Sequence, residues 1–418
     1  MHSRSLRARP IVAPAATLLA ALVVTLSGCA ASDPVGQTSS SSPDPGHGAI
    51  AGATELAEPQ LGLTSVDPAG HVTHLDLLDE SVTQVGSIGS PTALATDGRY
   101  LFATTATGVD IVDSGVWTWD HIDHFHYYRA EARIVGTLRG EGPANVATTN
   151  LSTTGGTGVF FADSGEGVLL ETAALSRGRI SELFRVTGDP HRGMVVPIGS
   201  YALVTEARGG VPMSVAVYSM DGERTGLEEP CANASGTITT RVGAVIGCDD
   251  GALLATMQDG ELSIERIPYP DGAGAGAPAA TVFANREGRP TVAGLGGDRA
   301  IWTLDTRERS WTLLPAPAPL VHVTAVDDDR AHLLALTTDG RVLVLNGVDG
   351  TMLSQTAPLV ADSLAAGLAP VLIADQQRAY LSAPFEGRLY EIDYADDARI
   401  ARTFETTTQP TFVAETGR

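Results

Sequence analysis

Short apolar runs alternate with turn dipeptides along most of the chain. Asp-Gly, a strong hairpin signal, occurs seven times between residues 97 and 350. The apolar positions show no sustained helical period, and the segments between turns have the length of single strands. Together with 46 glycines and an aromatic content of only 5%, this pattern predicts an all-β protein.

One strand-turn-strand unit recurs along the sequence. It is clearest at Pro91 (PTALATDGRYLFAT) and Pro370 (PVLIADQQRAYLSA). The usual spacing of about 40 to 50 residues is the length of a four-stranded propeller blade. One blade cannot bury both of its faces alone, so the pattern predicts a ring of blades. The eight copies begin at Pro91, Pro143, His191, Gly236, Pro290, Val321, Pro370 and Pro410.

The two chain ends predict how the ring closes. The chain stops just after the Pro410 copy, whereas residues 59–89 contain strands that have no first strand of their own. Pairing these segments in one blade would remove the last open sheet edge. The count is eight blades, and seven is the alternative because the interval from Pro290 to Val321 is short.

The N-terminus has the features of an export signal. Arg4, Arg7 and Arg9 precede an apolar run from residue 11 to 26, which ends in Leu26-Ser27-Gly28-Cys29. This ending is similar to the lipobox of bacterial lipoproteins, which implies lipidation of Cys29 and anchoring to the outer face of the cell membrane. The alternative is an ordinary signal peptide with a chance cysteine.

The chain therefore divides into three segments. Residues 1–28 are the predicted lipoprotein signal peptide, and residues 29–58, rich in Ser, Pro and Gly, read as a flexible tether. Residues 59–418 form the predicted propeller, which we expect to be a monomer.

Charge and cysteine content limit the partners and the compartment. The net charge of −22 argues against a nucleic-acid partner, because phosphate binding needs a basic face. In an exported protein, Cys231 and Cys248 are expected to form a disulfide between neighbouring strands of one repeat unit. A reactive or metal-binding cysteine pair is the alternative.

Candidate chemistry is concentrated in Asp-His-Ile-Asp-His-Phe-His-Tyr-Tyr, residues 120–128. Imidazole is the commonest protein ligand for zinc, and a ligating histidine needs a partner that orients its other nitrogen. If the segment is extended, His124 and His126 point to one side. If it turns, His121 and His124 can converge instead. The candidate ligands in this segment are Asp120, His121, Asp123, His124 and His126.

The segment lies in a long connection, which we interpret as a metal-binding loop at about 113–131. The preceding strand ends near Val112 and the next begins near Ala132, so about twenty residues exceed what a turn requires. Tetrahedral zinc needs a further ligand, for which His191 is the best candidate. The alternatives are a solvated polar loop and, for His191, an ordinary hydrogen-bonded histidine.

A propeller that carries the 120–128 segment and the later Pro190-His191-Arg192-Gly193 resembles the AztD-type zinc metallochaperones. The resemblance covers about residue 59 to the C-terminus, including the region of the two cysteines. It implies a secreted carrier that binds Zn²⁺ and passes it to the solute-binding protein of a zinc ABC importer. By position, the family's histidine segment corresponds to His121, His124 and His126, and its later histidine to His191.

Two departures from the family pattern stand out. Ser235-Gly236 occupies the place of a His-Gly pair, and the mature N-terminus carries only His47 rather than a histidine-rich arm. Anchoring through Cys29 would instead hold the carrier near its importer without such an arm.

The predicted mechanism is binding and exchange rather than catalysis. The sequence has no Gly-x-Ser-x-Gly elbow and no nucleophile with a paired base. Two alternatives stay open, a metal-dependent hydrolase and a protein-interaction propeller lipoprotein without metal. Ligand type alone does not distinguish zinc from manganese, copper or nickel.

Overall fold

The computed structural model of the protein is dominated by β-strands. Within its described residues it contains 34 strands and two five-residue helices, α1 (Thr172–Ser176) and α2 (Ala361–Ala365). None of the helices in the described part of the chain is long and apolar enough to cross a membrane. The structure describes residues 48–120, 124–150, 152, 154–272 and 276–417.

The strands are short, mostly of three to eight residues, as the frequent turn dipeptides predict. In the first half of the chain they are β1 (Thr54–Leu56), β2 (Gly62–Val66), β3 (His71–Asp76), β4 (Val82–Ser87), β5 (Ala93–Thr96), β6 (Tyr100–Thr105), β7 (Gly108–Asp113), β8 (Val116–Asp120), β9 (Phe125–Arg129), β10 (Arg133–Arg139), β11 (Ala144–Ala147), β12 (Gly156–Phe161), β13 (Glu166–Glu171), β14 (Glu182–Thr187), β15 (Val195–Ile198), β16 (Tyr201–Arg208), β17 (Val211–Ser219) and β18 (Arg224–Pro230).

The second half of the chain continues in the same way. Its strands are β19 (Thr237–Thr239), β20 (Ala244–Cys248), β21 (Gly251–Gln258), β22 (Glu261–Pro268), β23 (Thr291–Leu295), β24 (Ala300–Asp305), β25 (Ser310–Pro315), β26 (Leu320–Ala325), β27 (His332–Thr337), β28 (Val342–Asn346), β29 (Met352–Gln355), β30 (Leu372–Ala374), β31 (Ala379–Ala383), β32 (Arg388–Asp393), β33 (Arg399–Glu405) and β34 (Phe412–Thr416).

In the described part of the chain these strands pair antiparallel into eight blades and one smaller sheet. Each of the eight predicted repeat copies supplies the first strand of one blade, so the count of eight is confirmed. In order, blades 1 to 8 are β34-β2-β3-β4, β5-β6-β7-β10, β11-β12-β13-β14, β15-β16-β17-β18, β19-β20-β21-β22, β23-β24-β25, β26-β27-β28-β29 and β30-β31-β32-β33.

Blade 6 explains the short interval after Pro290. Among the described residues it has three strands rather than four. Ala284 and Ala293 exchange two backbone hydrogen bonds of 2.9 Å each, which extends this sheet by an isolated bridge. The short interval therefore reflects a reduced blade, not a missing one.

Buried apolar clusters join each blade to the next. Between blades 1 and 2, Val66 and Val72 pack with Leu101. The series returns to its start, because Leu63 of blade 1 packs with Leu389 of blade 8. A series of sheets in which the last contacts the first is a closed ring.

Pairing of the chain ends completes blade 1. β34 pairs with β2 from Gly62↔Thr416 to Val66↔Phe412, as the sequence predicts. First strands of several blades line a common cavity of about 270 Å³ with residues that include Thr96, Thr239 and Glu415. The first strands are therefore the innermost strands of the ring.

The disulfide between Cys231 and Cys248 is present, but its predicted place is wrong. Cys231 follows the outermost strand of blade 4, whereas Cys248 ends β20 of blade 5. The bond thus joins neighbouring blades rather than strands of one repeat. It closes a loop of 17 residues, which in the chain-entropy model contributes about 3 kcal/mol to stability.

Two predicted boundaries are also wrong. The tether was expected to run to residue 58, but Thr54–Leu56 forms β1. The expected loop at 113–131 contains the two strands β8 and β9, which pair as a hairpin and form with β1 the smaller sheet, β1-β9-β8. The predicted signal peptide and Cys29 lie outside the described residues.

Candidate metal centre

The hairpin β8–β9 lies in the sequence between β7 and β10, the last two strands of blade 2. Val116-Trp117-Thr118-Trp119 consists of β-branched and aromatic residues, which favour extended backbone. The preceding Gly115 has φ 79°, and a Cβ there would lie 2.5 Å from the carbonyl oxygen of Ala130. Glycine therefore permits the close approach of the two hairpin ends before the chain returns to β10.

A buried ion pair and a stack of rings hold the base of the hairpin on the propeller. The Arg99 guanidinium makes two hydrogen bonds of 2.9 Å to the Asp113 carboxylate. The same guanidinium lies 3.7 Å from the ring centroid of Trp117. Trp117 in turn stacks on Tyr128, with centroids 5.3 Å apart. The hairpin is thus fixed to the rigid ring at its base.

Both ends of the described chain contact the hairpin. Nε1 of Trp117 donates to the carbonyl oxygen of Gly48 at 3.2 Å, and the Thr118 hydroxyl donates to that of Gly417 at 2.8 Å. On its free edge, β9 pairs with β1 in the register Glu55↔Tyr128. The N-terminal segment is therefore part of the sheet that carries the histidines.

The strand period places the hairpin side chains on two faces. His124, His126 and Tyr128 are two positions apart and share one face, whereas Phe125 lies on the other. Phe125 is opposite Asp120 in the register, so Asp120 lies on the Phe125 side. His124 and His126 therefore point to the same side, although β8 and β9 form a hairpin rather than one extended segment.

The two imidazoles meet directly. Nε2 of His124 lies 2.9 Å from Nε2 of His126, and the ring centroids are 4.7 Å apart. Nδ1 of His126 lies 2.6 Å from a carboxylate oxygen of Glu55. Because a carboxylate only accepts hydrogen bonds, Nδ1 of His126 carries the hydrogen. In the neutral ring, Nε2 of His126 then presents a lone pair to His124.

This arrangement is close to that of two ligands on one metal ion. Nitrogens bound to a tetrahedral zinc at about 2.0–2.1 Å are about 3.3 Å apart. An increase of about 0.4 Å in the distance between the two Nε2 atoms would allow one ion to replace the hydrogen between them. His124 is exposed and the side chain of His126 is 20% exposed, so the site is open to solvent.

Glu55 is the residue that sequence analysis missed. It lies in the segment assigned to the tether, 71 positions before His126. The signal was weak: Thr54-Glu55-Leu56 is a short alternating run within a segment rich in small polar residues. Only the pairing of β1 with β9 brings its carboxylate to the histidine.

The remaining candidates of the 120–128 segment are not all described. His121 and Asp123 lie outside the described residues. Asp120 is described, at the end of β8 and opposite Phe125. Among the residues that the structure describes, no group of three or more His, Cys, Asp or Glu side chains could hold a metal ion.

His191 has a different setting, just before the first strand of blade 4. Its Nδ1 donates to the carbonyl oxygen of Asp189 at 2.6 Å, and its Nε2 accepts from the Thr205 hydroxyl at 2.9 Å. The residue is buried, and its ring packs 4.6 Å from that of Phe160. Both nitrogens are engaged within the blade region, which fits the alternative of a hydrogen-bonded histidine.

Other blade histidines are also held by local contacts. His332 is buried and bonds Asp328 at 2.6 Å. His74 bonds the Thr64 hydroxyl at 2.9 Å, and burial lowers its pKa to about 4. Burial also lowers the pKa of His322. Burial and local contacts give these residues structural roles.

No family model matches this chain, and no curated protein matches it in sequence. Solved structures do match its fold. Apo AztD from Citrobacter koseri superposes with a TM-score of 0.73 at 19% identity, covering 86% of this chain and 98% of that one. A second structure of Citrobacter koseri AztD gives a TM-score of 0.71 at 22% identity, with 86% and 99% coverage.

A third match is the dihydro-heme d1 dehydrogenase NirN, with a TM-score of 0.52 at 15% identity, covering 87% of this chain and 76% of that one. At sequence identities this low, the similarity to these structures shows a common fold only. The predicted resemblance to AztD is confirmed at that level, and the AztD structures align over nearly their whole length with most of this chain.

Proposed function

We propose that this protein is an extracytoplasmic zinc carrier that holds Zn²⁺ at the β8–β9 hairpin and passes it to the solute-binding protein of a zinc ABC importer. The observation that carries the proposal is the pair of imidazole nitrogens of His124 and His126, 2.9 Å apart on an exposed hairpin. The AztD-like fold supports the same function.

His124 and His126 are the proposed ligands with described geometry. Their neighbours His121, Asp123 and Asp120 are the nearest sources of further ligands in the sequence, and His121 corresponds to the family's histidine segment. We leave His191 out of the ligand set because both its ring nitrogens already have partners. Zinc is the cargo of this protein, and its ligands need only hold the ion until an acceptor competes for it.

Exposure of the site suits release by ligand exchange. An acceptor side chain can add to a metal ion on a solvent-facing hairpin before the first protein ligand leaves. Binding requires neutral imidazoles, so acidification weakens affinity because protons compete with the metal. The proposed function involves no chemical conversion, and His124 and His126 act as ligands rather than as acids or bases.

The proposed location is the outer face of the cell membrane. The disulfide between Cys231 and Cys248 is typical of an oxidising compartment. A lipid anchor at Cys29 would keep the carrier beside the importer, and the tether would raise the effective concentration of the two proteins.

The deciding experiment measures bound metal on the mature chain produced without its lipid anchor. The wild type, challenged with equimolar zinc, copper and manganese, is expected to retain at least about one zinc, whereas His124→Ala/His126→Ala loses it. His71→Ala is the matched control, because His71 also pairs with a carboxylate, Asp67 at 2.8 Å, but has no second imidazole beside it in the described contacts.

Retention of zinc by the double variant would show that the hairpin histidines are not the binding site. No retained metal in either protein would contradict the proposed function and leave a protein-interaction propeller. Transfer is tested by mixing the zinc-loaded protein with the apo solute-binding protein and an excess of chelator. Zinc should reach the acceptor despite the chelator. Chelator-sensitive turnover of a test ester or lactone would instead indicate a hydrolase.

A further inference from the structure

We infer that Glu55 is a positioning residue for the hairpin metal site, and that zinc binding and docking of the N-terminal strand β1 stabilise each other. This inference rests on the proposed function. It concerns a residue outside the histidine segment, contributed by a part of the chain that precedes the propeller.

The register of β1 explains how Glu55 reaches His126. Glu55 is directly opposite Tyr128, and His126 lies two positions along the same strand. Opposite residues and their diagonal neighbours share a face, within reach of long side chains. The Glu55 carboxylate ends 2.6 Å from Nδ1 of His126, although the two residues are 71 positions apart.

The contact fixes which nitrogen of His126 can bind a metal. A carboxylate that accepts the Nδ1 hydrogen holds the ring in the tautomer whose Nε2 is free of hydrogen. It also fixes the ring orientation and makes Nε2 a stronger donor to the metal. In addition, the negative charge of the Glu55 carboxylate offsets part of the charge that a divalent cation brings to the site. Without Glu55, the ring can rotate and exchange tautomers.

Contact between Glu55 and His126 depends on β1 staying paired. β1 has three residues, two of them exposed, and forms the edge of its sheet. Such short edge segments open more readily than core strands. If Glu55 strengthens zinc binding, linkage requires zinc to strengthen β1 docking by the same factor.

The first test compares zinc affinities by chelator competition, using the mature chain without its anchor. Loss of an orienting carboxylate typically costs about 10- to 100-fold in metal affinity, so we expect that loss for Glu55→Ala. Glu55→Gln should lie between Ala and the wild type, since the amide oxygen still accepts a hydrogen bond but carries no charge. Glu58→Gln, an exposed neighbour three positions later, should bind like the wild type.

Two further measurements separate positioning from a general structural effect. Nitrogen NMR of the His126 ring should show one tautomer in the wild type and a mixture in Glu55→Ala. Hydrogen exchange at residues 54–56 should slow when zinc is added to the wild type, and this protection should be lost in Glu55→Ala.

The outcomes distinguish this inference from the proposed function. If His124→Ala/His126→Ala loses zinc but Glu55→Ala binds like the wild type, only the role of Glu55 is overturned. Equal losses in Glu55→Ala and Glu58→Gln would also overturn it. If the double histidine variant still binds zinc at wild-type affinity, the proposed function itself fails.

Discussion

The histidines of the hairpin and those of the blades use the same carboxylate contact to different effect. In the hairpin, His126 lies 2.6 Å from Glu55. In blade 7, His332 lies at the same distance from Asp328. His332 is 4% exposed, whereas the His126 side chain is 20% exposed and faces a second imidazole.

The comparison teaches that a histidine-carboxylate pair does not by itself mark a metal site. Asp328 is four residues from His332 and also accepts its backbone N–H at 2.9 Å, so the pair closes a local turn. Glu55 reaches His126 from a distant segment and leaves the second ring nitrogen directed at His124. The second imidazole and the access of solvent make the hairpin pair a candidate site.

The largest predicted effect concerns the Arg99–Asp113 ion pair, which fixes the hairpin to the propeller. Arg99→Met removes the buried partner of Asp113, whose side chain is only 2% exposed. Breaking a buried ion pair typically costs about 3–5 kcal/mol because one charge stays buried without its partner. Chemical denaturation should show this loss in the free energy of unfolding.

The double variant Arg99→Met/Asp113→Leu is the control for that prediction. It removes both charges and should recover part of the stability. Arg133→Met should have a much smaller effect, since Arg133 is 42% exposed and lies 3.5 Å from the Asp113 carboxylate. An Arg99→Met protein as stable as the wild type would show that the Arg99–Asp113 ion pair does not stabilise the fold.

The next effect tests the blade histidines through pH. The pKa of His74 is lowered by burial to about 4, from an ordinary value of 6.5. The unfolded chain therefore binds a proton that the folded chain does not between pH 6.5 and 4. The contribution of His74 to the free energy of unfolding is fully present above pH 6.5. Up to about 3 kcal/mol of it is lost as the pH falls to 4.

His74→Gln should flatten this pH dependence, measured as the free energy of unfolding at several pH values. The exposed His71 offers a matched substitution, His71→Ala, which should leave the slope between pH 6.5 and 4 close to that of the wild type. An unchanged slope in His74→Gln would mean that another group causes the acid sensitivity.

The smallest predicted effect tests whether His191 binds zinc together with the hairpin histidines. His191→Gln should destabilise the protein by about 1–3 kcal/mol, because it disturbs buried hydrogen bonds to Asp189 and Thr205. Its zinc affinity should equal that of the wild type, measured by chelator competition. A large loss of zinc affinity in this variant would restore His191 to the ligand set.

Some features of this protein follow from the sequence alone. The eight first strands rest on short-range patterns, and the pairing of the Pro410 segment with residues 59–89 follows from the strand count of each repeat. Convergence of His124 with His126 is one of the two alternatives that the strand period allows. Strand period, turn dipeptides and repeat spacing act over a few residues or recur at fixed intervals. They can therefore be read without knowing which distant segments meet.

Only the tertiary structure decided the contacts between distant or irregular segments. The Cys231–Cys248 bond spans two blades because ring closure places the end of one blade beside the strands of the next. His191 turns both nitrogens to partners in its own region. Glu55 meets His126 because backbone pairing docks β1 on the hairpin edge, and such pairing carries no periodic signal in a three-residue strand.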